Sequence, residues 1–168
     1  YKLFKKTFSS NINPFKVKSI DGFAMLFNLK RLKEIKNFYF FDENFFLYLE
    51  NDDLCKRVNA SNEDIYVVPK SKIKHFGGKA VNQLYKFEIE LSRNWHWIWS
   101  KFYFNKKHYG FIFAFMNGLP SFLSAMIKFC IYFIFNNQKK KKIYYNRCSG
   151  FLNALFGRKS FYRPNINS

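Results

Sequence analysis

The charges along this sequence divide the chain into two parts. All 11 Asp and Glu residues lie between Asp21 and Glu90, whereas residues 91–168 contain 13 Lys or Arg and no carboxylate. Residues 1–90 hold 16 basic and 11 acidic groups, a net charge of +5 that an ordinary soluble domain tolerates. The acid-free part therefore needs a different explanation, and strong basicity of this kind suits nucleic acid or an anionic membrane surface.

Composition narrows the class of protein. The 168 residues suit one compact domain or part of a larger one. Phe, Tyr and Trp supply 24, 11 and 3 residues, and this much apolar surface excludes a disordered basic tail. The cysteines, Cys55, Cys130 and Cys148, have no short spacing, so neither a CxxC metal knuckle nor a disulfide framework is expected.

The acid-free part contains two segments that favour a membrane. Residues 82–108 are long enough for a seven-turn helix on which Trp95, Trp97 and Trp99 cannot share one face, as is typical of aromatic rings at a membrane interface. Residues 109–135 contain a single charge, Lys128, and we expect residues 117–120, with their Gly and Pro, to break that stretch into two helices.

A basic segment follows the apolar one. The second predicted helix has a narrow stripe of polar residues, and Lys139 to Lys142 come directly after it. This pattern predicts a basic amphipathic tail, residues 109–168, that binds anionic lipid. A nucleic-acid partner is not expected, because the basic residues are interspersed with a long apolar run and do not form a solvated face.

The first part of the chain alternates short elements. The pattern predicts a buried strand at 22–27, further strands at 65–68 and 71–76, a helix over 29–35 and a helix that begins near Asn51 or Asp52.

Two groups of residues could perform chemistry. Seven carboxylates fall within 23 residues, and Glu50, Asp52 and Asp53 directly follow an apolar run. They are either a solvated loop with a helix N-terminus or closely spaced carboxylates with separated pKa values, one serving as a general base. His75 is either structural or, next to the Gly77-Gly78 pair, part of a phosphate or divalent-metal site.

These residues together resemble a known family. Residues 41–57 read FDENFFLYLENDDLCKR, residues 74–78 read KHFGG, and residues 22–26 read GFAML. The order and spacing closely resemble the C-terminal half of bacterial family 2 glycosyltransferases of the rhamnosyltransferase-like kind, whose pattern is F-D-E-x-F-F-L-Y-x-E-D-x-D-L-C-x-R with a later H-x-G-G. The likeness covers roughly residues 19–108, and residues 157–164 resemble the same proteins' C-terminus.

The resemblance implies an architecture and an activity. It implies an α/β fold, a partial GT-A (Rossmann-like) domain over residues 1–81 that lacks the nucleotide-binding half and its D-x-D motif. The interfacial helix, 82–108, and the tail, 109–168, follow this domain. The implied reaction is inverting transfer of a sugar such as rhamnose from a nucleotide-sugar to a lipid-linked or cell-surface glycan. Its implied location is the cytoplasmic face of the bacterial inner membrane, and its implied cofactor is Mg²⁺ or Mn²⁺. The alternative is a non-catalytic basic membrane-binding module with a vestigial site.

The resemblance also implies roles for individual residues. The family's usual general base aligns with Asn51, whose amide cannot take a proton, so Glu50, Asp52 or Asp53 would have to act instead. Glu50 aligns with an acceptor-binding acid, and Asp53 with an acid that supports the site. Residues expected to bind substrate or diphosphate, with His75 also a metal ligand, are Gly22, Ala24, His75, Gly77, Gly78 and Arg93.

Overall fold

A computed structural model describes residues 13–35, 38–74 and 82–165 of the chain. The chain forms two compact units. The first comprises residues 1–42 and 50–77, and the second comprises residues 43–49 and 78–168. We call them the N-terminal unit and the helical unit.

The N-terminal unit is built from short elements. Strand β1 spans Phe15–Val17, helix α1 spans Leu29–Lys33, helix α2 spans Glu50–Ala60 and strand β2 spans Ile65–Val67. The strands pair antiparallel, with Phe15 opposite Val67. The predicted helix start near Asn51 or Asp52 is confirmed, since α2 begins at Glu50. The carboxylates in its first turn are stabilised by the positive end of the helix dipole.

The predicted α/β fold is wrong for the described part of the chain. Of the described residues, 59% are helical, and they contain a single two-stranded sheet, which is not a Rossmann-like GT-A domain. The predicted strand at 22–27 has no pairing partner among the described residues, and Leu26 within it is fully exposed. A buried central strand needs hydrogen-bonded neighbours on both sides, and here only β1 and β2 pair. Residues 71–74 form no strand either, and residues 75 and 76 lie outside the described ranges.

Three long helices make up most of the helical unit. Helix α3 spans Lys86–Tyr109, α4 spans Phe111–Ile134 and α5 spans Gln138–Leu155. Gly110, with a φ of 89°, makes the turn between α3 and α4, a backbone conformation that glycine adopts without steric cost. The side chain of Asn137 caps the start of α5 by accepting a hydrogen bond from the Lys140 N–H at 3.1 Å.

The core of the helical unit is aromatic. Its buried residues are Trp95, Trp99, Phe102, Ala114, Phe151 and Ala154. A glycine lets α5 approach α3 closely, since a Cβ at Gly150 would lie 2.5 Å from the carbonyl oxygen of Trp95. Burial of each large side chain contributes roughly 1.5–3 kcal/mol, so these contacts hold the three helices together.

The structure corrects the interpretation of residues 82–108 as a helix with interfacial rings all around. Trp95 and Trp99, four residues apart on α3, are 0% and 3% exposed, whereas Trp97 is 44% exposed. Residues four apart share a helix face, and this face packs against α5. Only Trp97 of the three is therefore placed to meet a membrane.

The predicted break at residues 117–120 is also wrong. Helix α4 continues through Pro120, which is exposed. The Asn117 side chain donates to the Phe113 carbonyl at 3.0 Å, and Gly118 packs against Phe151 at a distance that leaves no room for a Cβ. Packing of α4 against its neighbours therefore outweighs the missing proline N–H.

A buried histidine links α3 to the end of the chain. His96 is fully buried, and its Nε2–H donates to the Tyr162 carbonyl at 2.8 Å. Burial lowers the pKa of His96, and the positive charge of Arg163 lowers it further, although the hydrogen bond to Tyr162 acts in the opposite direction. The imidazole is therefore neutral at pH 7.

We expect the free energy of unfolding of the helical unit to decrease as the pH falls below about 6.5. The unfolded histidine takes up a proton near that pH, whereas the folded one resists it, so protons favour the unfolded state. Urea titrations across this range measure the effect. His96→Gln, which keeps a donor for Tyr162, should remove this component of the pH dependence, and His108→Gln should retain it. An unchanged pH dependence in His96→Gln would contradict the assignment.

Candidate functional site

The acidic start of helix α2 lies against the loop at residues 19–22. The Asn51 Nδ2 donates to the Ile20 carbonyl at 2.9 Å, and the Ser19 hydroxyl donates to the Asp52 carboxylate at 2.7 Å. A Cβ at Gly22 would lie 3.3 Å from the Asn51 Cβ, tighter than an ordinary contact. The structure therefore brings two of the predicted site segments together, at Gly22 and at residues 50–53.

A second contact further along α2 holds the same part of the chain. The Asn59 Nδ2 donates to the Lys18 carbonyl at 2.8 Å and to the Cys55 carbonyl at 2.7 Å. Asn51, Asp52 and Asn59 thus bind three consecutive residues, 18–20, with polar side chains from one helix. The loop is fixed relative to α2, as a preorganised site requires.

Asp53 forms an ion pair with Arg57. It is fully buried, and the Arg57 Nε donates to its carboxylate at 2.8 Å. The same guanidinium donates to the Tyr39 and Phe40 carbonyls and lies 3.9 Å from the centre of the Tyr39 ring. Arginine offers several donors in a rigid fork, which explains how one side chain fixes α2 and residues 39–40 together. Asp53 is therefore a positioning residue rather than an accessible base.

Glu50 differs from its neighbours in its hydrogen bonding. Its side chain is half-buried, and its Oε2 is buried with no hydrogen-bond partner in the part of the chain that the structure describes. Buried carboxylate oxygens normally have partners, because an unpaired one loses its solvation without compensation. The Glu50 side chain as a whole is only half-buried, so it is more open to a substrate hydroxyl than the fully buried Asp53.

The backbone that leads into α2 is strained. Tyr48 and Leu49, immediately before Glu50, have φ values of 69° and 67°. Non-glycine residues in the left-handed region cost on the order of 1–3 kcal/mol each and are enriched at functional sites.

The structure gives Asn51 a structural role. Its amide is the donor to Ile20, and a carboxylate at this position would offer only acceptors to that carbonyl. An aspartate at this position therefore removes a hydrogen bond that holds the 19–22 loop.

We expect Asn51→Asp to destabilise the N-terminal unit by about 1–3 kcal/mol, because it leaves the Ile20 carbonyl facing a second acceptor. Chemical denaturation of the purified variant measures this loss. Asn51→Gln, which keeps the amide, is the matched control and should lose less. A variant Asn51→Asp as stable as the wild type would show that the hydrogen bond to Ile20 contributes nothing.

The other predicted site residues have different outcomes. Ala24 is exposed in the N-terminal unit. Arg93 belongs to the helical unit, where it is exposed on α3. His75, Gly77 and Gly78 lie outside the described residues. Their roles stay predictions.

The acidic cluster does not form a metal site within the described ranges. No group of three or more His, Cys, Asp or Glu side chains converges there. Asp53 is paired with Arg57, and Asp52 accepts a hydrogen bond from Ser19, so neither carboxylate is arranged as a metal ligand. The divalent cation stays a prediction.

Sequence reasoning missed two residues of this site. Arg57 follows Asp53 by one helical turn, a spacing that signals an ion pair, but the carbonyls that it also binds are far away in sequence. Ser19 gives no local signal for its contact with Asp52.

Comparisons of the chain with protein-family models, curated proteins and solved structures found no match.

Proposed function

We propose that this chain takes part in glycosyl transfer at a membrane, as the acceptor-side part of an inverting glycosyltransferase. The donor is a nucleotide-sugar, with rhamnose as the candidate sugar, and the acceptor is a lipid-linked or cell-surface glycan. The helical unit anchors the protein to the cytoplasmic face of a bacterial inner membrane.

Glu50 carries this proposal. Its unpartnered buried oxygen lies at the start of α2, within the segment whose sequence resembles the family 2 pattern. In the proposed step, the Glu50 carboxylate takes the proton of the acceptor hydroxyl while the oxygen of that hydroxyl forms a bond to the anomeric carbon of the sugar. The bond from that carbon to the diphosphate breaks on the opposite face, the nucleoside diphosphate leaves with the electron pair, and the configuration inverts.

The other residues of the site support this step by position. Arg57 neutralises Asp53 and fixes the helix, while Asn51 and Asp52 hold residues 19–20 beside it. This leaves Glu50 as the base that the geometry favours among the candidate carboxylates. A positioned general base contributes roughly 10²–10⁴-fold to a rate.

The second candidate function, a non-catalytic membrane-binding module, also has a specific observation in its favour. In the described part of the chain, one helix, α4, has the length and composition to cross a membrane. Its most apolar 18 residues have a mean hydropathy of 1.3, and 11% of them are buried. Both candidates predict membrane binding, and only the first predicts chemistry at Glu50.

The test of the proposal is sugar transfer. The full chain is incubated with labelled nucleotide-sugars and bacterial lipid extract, alone and with a family 2 nucleotide-binding half supplied in trans. Transfer of label to a lipid or glycan fraction in either arm supports the proposal. Absence of both transfer and nucleotide-sugar hydrolysis in both arms would contradict it and favour the membrane module.

A further inference from the structure

A groove lies between α4 and α5 near the turn that joins them. It has a volume of about 240 Å³ and is lined by Phe129, Phe133, Lys141, Lys142 and Tyr145. The Phe129 ring centre lies 6.3 Å from that of Phe133 and 6.1 Å from that of Tyr145. Three aromatic rings therefore form an apolar wall, with two ammonium groups beside it.

The aromatic wall is exposed although it is apolar. Phe133 and Tyr145 are 63% and 60% exposed, and the neighbouring Ile131 and Ile134 of α4 are exposed as well. Exposed apolar surface of this extent marks an interaction site.

The charges beside the groove are uncompensated. Lys139 to Lys142 lie at the N-terminal end of α5, where the helix dipole already places positive charge. None of these four lysines pairs with a carboxylate in the described residues, and the sequence from 91 onward contains no acid. The Nζ of Lys141 lies 5.4 Å from the centre of the Phe133 ring, so a cation borders the apolar wall directly. An anionic ligand would complement the charge of these lysines.

We propose that this groove binds one anionic phospholipid of the membrane. Lys141 and Lys142, with the N-terminal end of α5, attract the phosphate, and the first part of an acyl chain packs against Phe129, Phe133 and Tyr145. The groove is smaller than the roughly 300–1,000 Å³ of pockets that enclose a whole ligand, which suits a lipid whose remaining chain stays in the bilayer. This inference shares the membrane location with the proposed function but does not require sugar transfer.

The test compares two double variants of equal charge in the full chain. Lys141→Gln/Lys142→Gln removes the lysines that line the groove, and Lys139→Gln/Lys140→Gln removes their neighbours, which do not. Binding is measured by flotation with phosphatidylcholine vesicles that contain phosphatidylglycerol. Attraction to the surface alone is worth about fivefold per lysine, so it weakens both variants equally. If the groove is a lipid site, vesicle binding falls at least tenfold more in Lys141→Gln/Lys142→Gln than in Lys139→Gln/Lys140→Gln. Equal losses of binding in the two variants would overturn the proposal.

Two further arms separate the lipid from its parts. A water-soluble short-chain phosphatidylglycerol should bind the wild type at one saturable site, and Phe133→Ser should weaken this binding more than Phe135→Ser, which is exposed outside the groove. Inorganic phosphate should not compete at equal concentration. Equal effects of the two Phe variants, or full competition by phosphate, would overturn the acyl-chain contact. Because no arm measures sugar transfer, these outcomes are independent of whether the proposed function holds.

Discussion

Glu50→Gln is expected to lower the rate of sugar transfer by roughly 10²–10⁴-fold. The glutamine keeps the shape and polarity of the side chain but cannot take the proton of an acceptor hydroxyl. If the acceptor binds through contacts that do not change during the reaction, the KM for acceptor stays within a few-fold while kcat falls. Initial rates at varied acceptor concentration separate the two constants.

Glu43→Gln is the matched control for this experiment. Glu43 is an exposed carboxylate of the same acidic segment, and we assign it no role. It should leave both kcat and KM unchanged. Glu50→Gln with wild-type kcat, or a Glu43→Gln variant that loses as much activity, would contradict the assignment of Glu50 as base.

Arg57→Leu is expected to destabilise the N-terminal unit by about 3–5 kcal/mol, because it leaves a buried carboxylate without its counter-ion. Asp53 is 0% exposed, so it cannot recover its solvation without local unfolding. The variant also removes the donors to the Tyr39 and Phe40 carbonyls. Denaturant unfolding monitored by circular dichroism measures the change. Most single domains have only about 5–15 kcal/mol of stability, so a loss of this size is large.

The double variant Asp53→Leu/Arg57→Leu tests the cause of that loss. Replacing both members of a buried ion pair with apolar residues is often neutral or better than breaking the pair. We therefore expect the double variant to be more stable than Arg57→Leu alone. A double variant that is less stable than Arg57→Leu would show that the lost donors to residues 39–40, rather than the broken Asp53–Arg57 ion pair, dominate.

Local signals in the sequence predict part of the fold. The acidic first turn predicts the start of α2 because a helix dipole acts within one turn, and the apolar spacing predicts the length of α3. The strand expected at 22–27 fails because a short apolar run does not state whether strands pair beside it. Tertiary contacts also override the proline in α4 and bury Trp95 and Trp99 against α5.

The candidate site is predictable to a similar degree. The cluster at 50–53 and its neighbour Gly22 follow from the sequence, and the structure brings them together. The sequence does not predict which contacts each of these four residues makes. Asn51 and Asp52 bind a loop about 30 residues away, and Asp53 is buried under Arg57, so only the fold leaves Glu50 with an unpartnered oxygen.

The most direct measurement of the central claim is photo-crosslinking of an acceptor. A lipid-linked glycan with a photoreactive group on its sugar is mixed with the full chain in vesicles, and the modified peptides are identified by mass spectrometry. We expect crosslinks within residues 19–24 or 50–53, and fewer of them when unlabelled acceptor competes. Crosslinks confined to residues 109–165, with none at the start of α2, would contradict it.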